Sequence, residues 1–301
     1  MSLTDQMHVF TRVAELASFS QAAESLGLPK ASVSTAVQAL EARLGTRLLH
    51  RTTRRVQLTQ DGQVFYERGK DLLADLDELQ ALFRQSGATV RGRVRIDMPT
   101  GLARNVVVPR LPELLDAHPG LEVELSSTDR RVDLVREGFD CVLRVGQVND
   151  PALIARPLGT LRLLTCASPG YLARHGTPRT LADLAQHRLV HYVGTLGAKS
   201  AGFEYLEGDT DRCLAMGGVL TVNSAEAYQA ACLAGLGLIQ APDIGFSTLL
   251  HEGRLVQVLP DLPLRPMPLT LLYANRRQLP TRVRLVMDWL AGVVQAYVGR
   301  A

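Results

Sequence analysis

The spacing of apolar positions divides the chain into a helical N-terminal stretch and a longer region where strands and helices alternate. Met7, Phe10, Val13, Ala14 and Ala17 recur at helical intervals and predict a first helix with one core-facing stripe; Ser18 or Ser20 is placed to cap the next. Ser20–Leu44 then reads as a short helix, a tight turn at Gly27, Leu28 and Pro29, and a longer helix from Lys30. Val33, Val37, Leu40 and Leu44 lie on one stripe of that longer helix and are expected to be buried. Its opposite face is centred on Ala31, Ser34, Thr35, Gln38 and Ala42, small or hydrogen-bonding side chains that let a helix approach base edges in a major groove, with Lys30 at its start. The bland alternative is a helical hairpin whose polar face is merely solvated.

Thr59 or Asp61 is placed to cap a long helix running to about Gln85. Phe65, Leu72, Leu76, Leu79 and Phe83 form an interrupted a/d-like seam along it, either for pairing with another helix or for packing within one domain. Residues 86–89 break the pattern and mark a domain boundary. Beyond it, strands are expected at Val90–Met98, Leu121–Ser127, Asp140–Val145, Leu161–Ala167, Leu189–Val193, Leu238–Ala241 and Leu269–Tyr273. Helices are expected at Arg104–His118, Val132–Glu137, Pro169–His175, Ser224–Ala234 and Thr281–Val298. Such alternation argues for α/β units with parallel sheet.

Charge sharpens the N-terminal reading more than composition does. A net charge of +3 on 301 residues is too small to diagnose a partner, but Arg43, Arg47, Arg51, Arg54 and Arg55 face a single nearby acid, Glu41. They predict a β-hairpin wing with arginines at its tip, able to replace counterions on phosphate. With 46% apolar and 21% charged residues the chain reads as a soluble globular protein of about two domains. The first residues carry Asp5 and no uninterrupted apolar run, and no later run reaches membrane-spanning length, so a cytoplasmic protein without membrane contact is expected.

Cys141, Cys166, Cys213 and Cys232 form no C-x-x-C pair, which argues against a disulfide framework or structural zinc; a thiol redox switch is the sharper alternative. Three apparent enzyme motifs fail on spacing or context. Residues 194–200 lack the glycine before Lys199 that a phosphate loop needs, Arg188 stands where a zinc protease has glutamate between His187 and His191, and Gly235 and Gly237 follow a helix instead of opening one. No cofactor and no catalytic residue is expected. Residues 98–102 and 222–226 each leave a strand and enter a helix, where free N–H groups favour an anion or carbonyl and Thr100 or Ser224 adds a hydroxyl; capping alone explains the same spacing.

With Phe10, Ala14, Ser20–Ala23, Leu26, Val33, Ser34, Leu40, Glu41, Leu44, Gly45, Leu48, Leu49, Arg51, Leu58, Thr59 and Gly62 in place, the chain resembles the LysR-type transcriptional regulators along its whole length. One departure is Thr35, where the family often has arginine after the recognition-helix serine, leaving more of the readout to Lys30, Ser34 and Gln38. The resemblance implies an α/β protein with an N-terminal winged helix-turn-helix, a long linker helix and a two-lobed, periplasmic-binding-protein-like effector domain. The corresponding segments are 1–59, 60–87 and 88–301, with lobe I at about 88–160 and 266–301 and lobe II at about 161–265. Ser20, Gln21, Lys30, Ala31, Ser32, Ser34, Thr35, Gln38, Arg51, Arg54 and Arg55 are then the expected contacts to double-stranded promoter DNA.

An effector site is expected from Thr100, Gly101, Ser127, Thr128, Arg144, Thr195, Asn223 and Ser224. An arginine at 144 inside an apolar strand needs a partner, either a ligand carboxylate or a protein acid such as Asp140. The expected function is a sequence-specific regulator responding to a small anionic or polar effector. The alternatives are a redox-responsive or effector-independent DNA binder and, less favoured, a small-molecule enzyme. Implied partners are the chain itself, as homodimer and homotetramer, and in some cases RNA polymerase.

Overall fold

The computed structural model describes residues 1–51, 56–81, 90–148, 150–274 and 279–299, which form two compact units, Met1–Arg93 and Val94–Ala301. In the first unit α1 (Leu3–Leu16) starts with a reciprocal cap between Ser2 and Asp5. α2 (Phe19–Leu26) is capped by Ser18, whose hydroxyl accepts from the Gln21 N–H, and not by Ser20. Gly27 adopts left-handed geometry, φ 63°, and turns the chain into α3 (Lys30–Leu44). The antiparallel pair β1 (Leu49–Arg51) and β2 (Val56–Leu58) follows, then α4 (Gln60–Ala81), whose first turn donates the Gly62 N–H to Thr59 Oγ1.

The core of this unit is built from Val9, Phe10, Val13, Ala22, Ala23, Val33, Ala36, Val37, Leu40, Leu48 and Leu49, with Phe65 of α4 edge-on to Phe10 at 5.5 Å. Two expected core positions are exposed instead. Leu44 is the last residue of α3 before Gly45 turns left-handed, φ 69°, and Ala17 is itself the left-handed C-cap of α1, so in both cases the helix ends before the stripe does. Along α4, Phe65 packs on the core of this unit, while Leu72 and Leu79, seven and fourteen residues further on, are exposed. Phe83 and Gln85 lie outside the described residues.

The second unit contains two main sheets. The first is five-stranded, ordered β4-β3-β5-β14-β6, from β3 (Arg91–Met98), β4 (Gly120–Ser127), β5 (Cys141–Val145), β6 (Leu153–Leu161) and β14 (Met267–Ala274). β3 and β5 are parallel, whereas β14 runs antiparallel to both β5 and β6. The second sheet, ordered β12-β7-β13, is formed by β7 (Leu163–Ala167), β12 (Ile239–Pro242) and β13 (Val256–Gln257). The chain passes from the first lobe to the second between Leu161 and Leu163, and β14 and the final helix α11 (Thr281–Val298) bring it back.

Helices α5 (Thr100–Leu102), α6 (Leu111–Ala117) and α7 (Leu134–Glu137) belong to the first lobe. The second lobe adds α8 (Pro169–His175), β8 (His191–Tyr192), the hairpin β9 (Phe203–Glu207) and β10 (Thr210–Leu214), β11 (Thr221–Val222), α9 (Ala225–Leu233) and α10 (Phe246–His251). The expected single helix Arg104–His118 is broken into a wide turn at Ala103–Val107, a tight one at Val108–Arg110, and α6, with α5 preceding them. Pro109 and Pro112 lack the N–H that regular turns require there. The expected strand Leu161–Ala167 is likewise two strands with a sheet change at Arg162.

Lobe II carries a buried histidine set against Tyr171. The Tyr171 hydroxyl accepts from the Arg188 N–H at 2.8 Å and is left to donate to His187 Nδ1 at 3.2 Å, an arrangement that suits a neutral imidazole. Burial lowers the His187 pKa, nearby His175 lowers it further, and Asp183 opposes them. The unfolded chain therefore binds this proton more readily. Stability is full above the ordinary imidazole range, near pH 6.5, and declines as pH falls below it. Denaturant midpoints at pH 7.5 and 5.5 are expected to differ less in His187→Gln than in wild type; an equal pH dependence would reject His187 as the group responsible.

Candidate nucleic-acid interface and effector cleft

In the first unit, α3 buries Val33, Ala36, Val37 and Leu40 and exposes Lys30, Ala31, Thr35 and Gln38, with Ser32 and Ser34 half-buried at the boundary. The helix starts at Pro29, which makes no side-chain cap bond to the donors of its first turn. Ser20 and Gln21 are exposed in the first turn of α2. Arg43 and Arg47 are exposed, and Arg51 ends β1; Arg54 and Arg55 lie outside the described residues. Glu41, the one acid of this basic stretch, has a structural task, accepting the Leu48 and Leu49 N–H groups at 2.9 and 3.1 Å.

In the second unit the expected effector residues do not form one set. Arg144 is buried and ion-paired to Asp97, a fully buried residue of the neighbouring strand β3, with Nη2 and Oδ1 2.5 Å apart; its Nη1 donates to the Leu143 carbonyl. The partner sought for this arginine in a ligand carboxylate or in Asp140 is therefore Asp97, and its charge is matched inside the sheet. Asp140 instead accepts the Arg95 N–H.

Thr100 and Ser224 do come together, through a residue absent from the expected set. The Thr100 N–H donates to Asp129 Oδ1 at 3.2 Å, and the Ala225 N–H, next to Ser224 at the start of α9, donates to Asp129 Oδ2 at 2.7 Å. One carboxylate thus joins the two lobes. Arg104 Nη1 and Glu226 Oε2, 2.9 Å apart, make a second bond between them. Tyr192 flanks the site beside Tyr228, ring centroids 5.5 Å apart; burial and then the Asp129 charge push its phenol up to about 12.

Gly101 faces Ile244, and the Thr128 hydroxyl accepts from the Arg130 N–H. Ser127, Thr195 and Asn223 are exposed. Ser224 occupies the N-cap of α9 without a side-chain bond, since the Asp129 carboxylate reaches the first helical N–H. An acid directly after Ser127 and Thr128, where a strand opens onto the cleft, was the available signal for Asp129.

The thiols are poorly suited to redox sensing. Burial pushes Cys166 and Cys232 up to about 12 and Cys141 up as well; exposed Cys213 is also shifted upward, its Sγ against the Ala201 carbonyl. Each shift reduces the thiolate that would react. Among the described residues no group of three or more His, Cys, Asp or Glu side chains is arranged to hold a metal, and no helix is long and apolar enough to cross a membrane.

Comparison with known proteins bears on both units. Residues 4–63 match the family model for bacterial regulatory helix-turn-helix proteins of the lysR family, and residues 87–295 match the LysR substrate binding domain. YhjC, an HTH-type transcriptional regulator of Escherichia coli K12, is 50% identical over 97% of this chain and 98% of its own length. An HTH-type transcriptional repressor of Pseudomonas aeruginosa is 35% identical over 94% of this chain and 90% of its own. Among solved structures, the LysR-type regulator CrgA of Neisseria meningitidis superposes with a TM-score of 0.62 at 27% identity, covering 98% of this chain and 99% of that one.

Proposed function

The chain belongs to the LysR family of DNA-binding transcriptional regulators with an effector-binding domain, and from that premise we propose how its own residues perform the two tasks. Lys30, Ala31, Ser34, Thr35 and Gln38 of α3 face base edges in the major groove, with Ser20, Gln21, Ser32, Arg51, Arg54 and Arg55 on the phosphates beside them. The observation that carries this reading is the division of α3 into a buried apolar stripe and an exposed face of small and hydrogen-bonding side chains. Two copies, paired through their long helices, would read half-sites about 34 Å apart. Exposed Leu72 and Leu79 on α4 supply apolar surface for that pairing. A homotetramer acting in the cytoplasm, with RNA polymerase as a further partner, completes the proposal.

The proposed effector site is the cleft between the lobes, bounded by Thr100, Gly101, Thr128, Asn223 and Ser224, with Thr195 on the loop after β8. The effector is a small anionic or polar molecule that shifts the population of lobe arrangements and thereby the geometry of paired DNA-binding units. Arg144 does not contact the effector in this reading.

The test is binding of the full chain to its own upstream DNA against scrambled DNA, across a salt series and with a panel of small metabolites. Gln38→Ala is expected to lose about 1–3 kcal/mol of preference for the specific site and little non-specific affinity. A variant that kept its full specificity would remove Gln38 from base readout. Absence of DNA affinity at low salt would remove the whole interface.

A further inference from the structure

Resting on the reading of the inter-lobe cleft as the effector site, we propose that Asp129 is a built-in occupant of its anion position, and that an effector carries an oxyanion group which binds by displacing it. Asp129 lies two residues past the end of β4, next to Thr128, whose N–H still donates to the Met98 carbonyl at the end of β3. From there its two carboxylate oxygens reach in different directions, Oδ1 to the Thr100 N–H of the first lobe and Oδ2 to the Ala225 N–H of the second. These N–H groups are donors that the strand-to-helix transitions offer to an anion, and both are already engaged by a carboxylate of the chain itself.

Two consequences follow from charge and stoichiometry. A backbone N–H makes one strong bond, so an external carboxylate cannot take the Thr100 and Ala225 donors while Asp129 holds them. Two carboxylates at one pair of donors also repel each other. Binding and the Asp129 bridge are therefore mutually exclusive, and the bridge joins the lobes in the absence of effector. Release of Asp129 leaves the Arg104–Glu226 ion pair between the lobes, and that pair is largely exposed, 65% and 41%, and correspondingly weak. Effector entry in this chain thus breaks one inter-lobe tie and replaces it with the ligand's own bonds to both sides.

The experiment uses the full-length protein carrying Cys213→Ser, with spin labels at Val135→Cys on α7 and Val219→Cys before β11, both exposed positions on opposite lobes. The three other cysteines are buried. Inter-lobe distance distributions are measured by pulsed electron resonance, and malonate binding by calorimetry, for Asp129, Asp129→Asn and Asp129→Ala. Expected are a broader distribution for Asp129→Ala and at least about tenfold tighter malonate binding, which corresponds to about 1.4 kcal/mol. Asp129→Asn, which keeps the shape and one accepting oxygen but loses the charge, is expected to fall between and guards against a folding defect in the alanine variant. An unchanged distance distribution, or no gain in malonate affinity in either variant, overturns the proposal. No DNA enters these measurements. A metabolite panel that never altered the DNA footprint would refute the effector reading by a separate route.

Discussion

Arg144→Ala is expected to destabilise the second unit by about 3–5 kcal/mol, the usual cost of removing one member of a buried ion pair. The reason lies with what remains. Asp97 is fully buried, and without the guanidinium its carboxylate would be left charged in an apolar sheet or forced to take up a proton. The chain has one tryptophan, Trp289 on α11, so its fluorescence reports on this unit. With a urea dependence of about 1–3 kcal/mol per molar, the midpoint should fall by at least about 1 M. The double replacement Arg144→Met with Asp97→Leu is expected to recover most of the loss, because buried pairs often exchange for well-packed apolar residues at little cost. A midpoint in Arg144→Ala within error of wild type would mean that the pair does not hold the sheet. Any fall in effector response of this variant has to be read against its stability before it is assigned to binding.

Gly62→Ala is the counterpart in the first unit. A Cβ at Gly62 would be driven into the backbone carbonyl of Leu48, and backbone cannot swing aside as a flexible side chain does. The Leu48 carbonyl also accepts the Thr59 N–H at 2.9 Å, and Leu48 and Leu49 are core residues. Adding the methyl group must therefore part the start of β1 from the first turn of α4. The expected loss is about 3 kcal/mol or more, a large share of the roughly 5–15 kcal/mol that holds a domain folded. Circular dichroism should show an early transition and DNA affinity should drop, while the Trp289 signal stays at its wild-type midpoint. A melt unchanged by the alanine would show that the contact relaxes freely.

The sequence made the first unit more legible than the second for a physical reason. Its signals are local: the Val33, Val37, Leu40 stripe, the Gly27 turn and the serine cap all act within one or two helical turns. Where local signals misled, as at Leu44 and Ala17, the helix end was set by a left-handed residue that periodicity does not see. In the second unit, α8 and α11 were readable with their ends, being bounded by Pro169 and by Pro280. β6 escaped because residues 153–161, with seven of nine side chains exposed or half-buried around Pro157, carry no clean alternation. The partnership of Arg144 with Asp97 and the bridge through Asp129 join residues 47, 29 and 96 positions apart. Nothing in a linear pattern specifies such meetings.

The position of β14 between β5 and β6 has a consequence in time. A ribosome delivers β3 to β6 early and the whole of the second lobe next, so that lobe has all of its own strands while the five-stranded sheet still lacks an interior one. Until residues 267–274 emerge, the edges of β5 and β6 that β14 will fill present unpaired backbone groups. Nascent chains stalled before Met267 should therefore be the species most in need of chaperones, and premature termination there removes an interior strand of a sheet, not a dispensable tail.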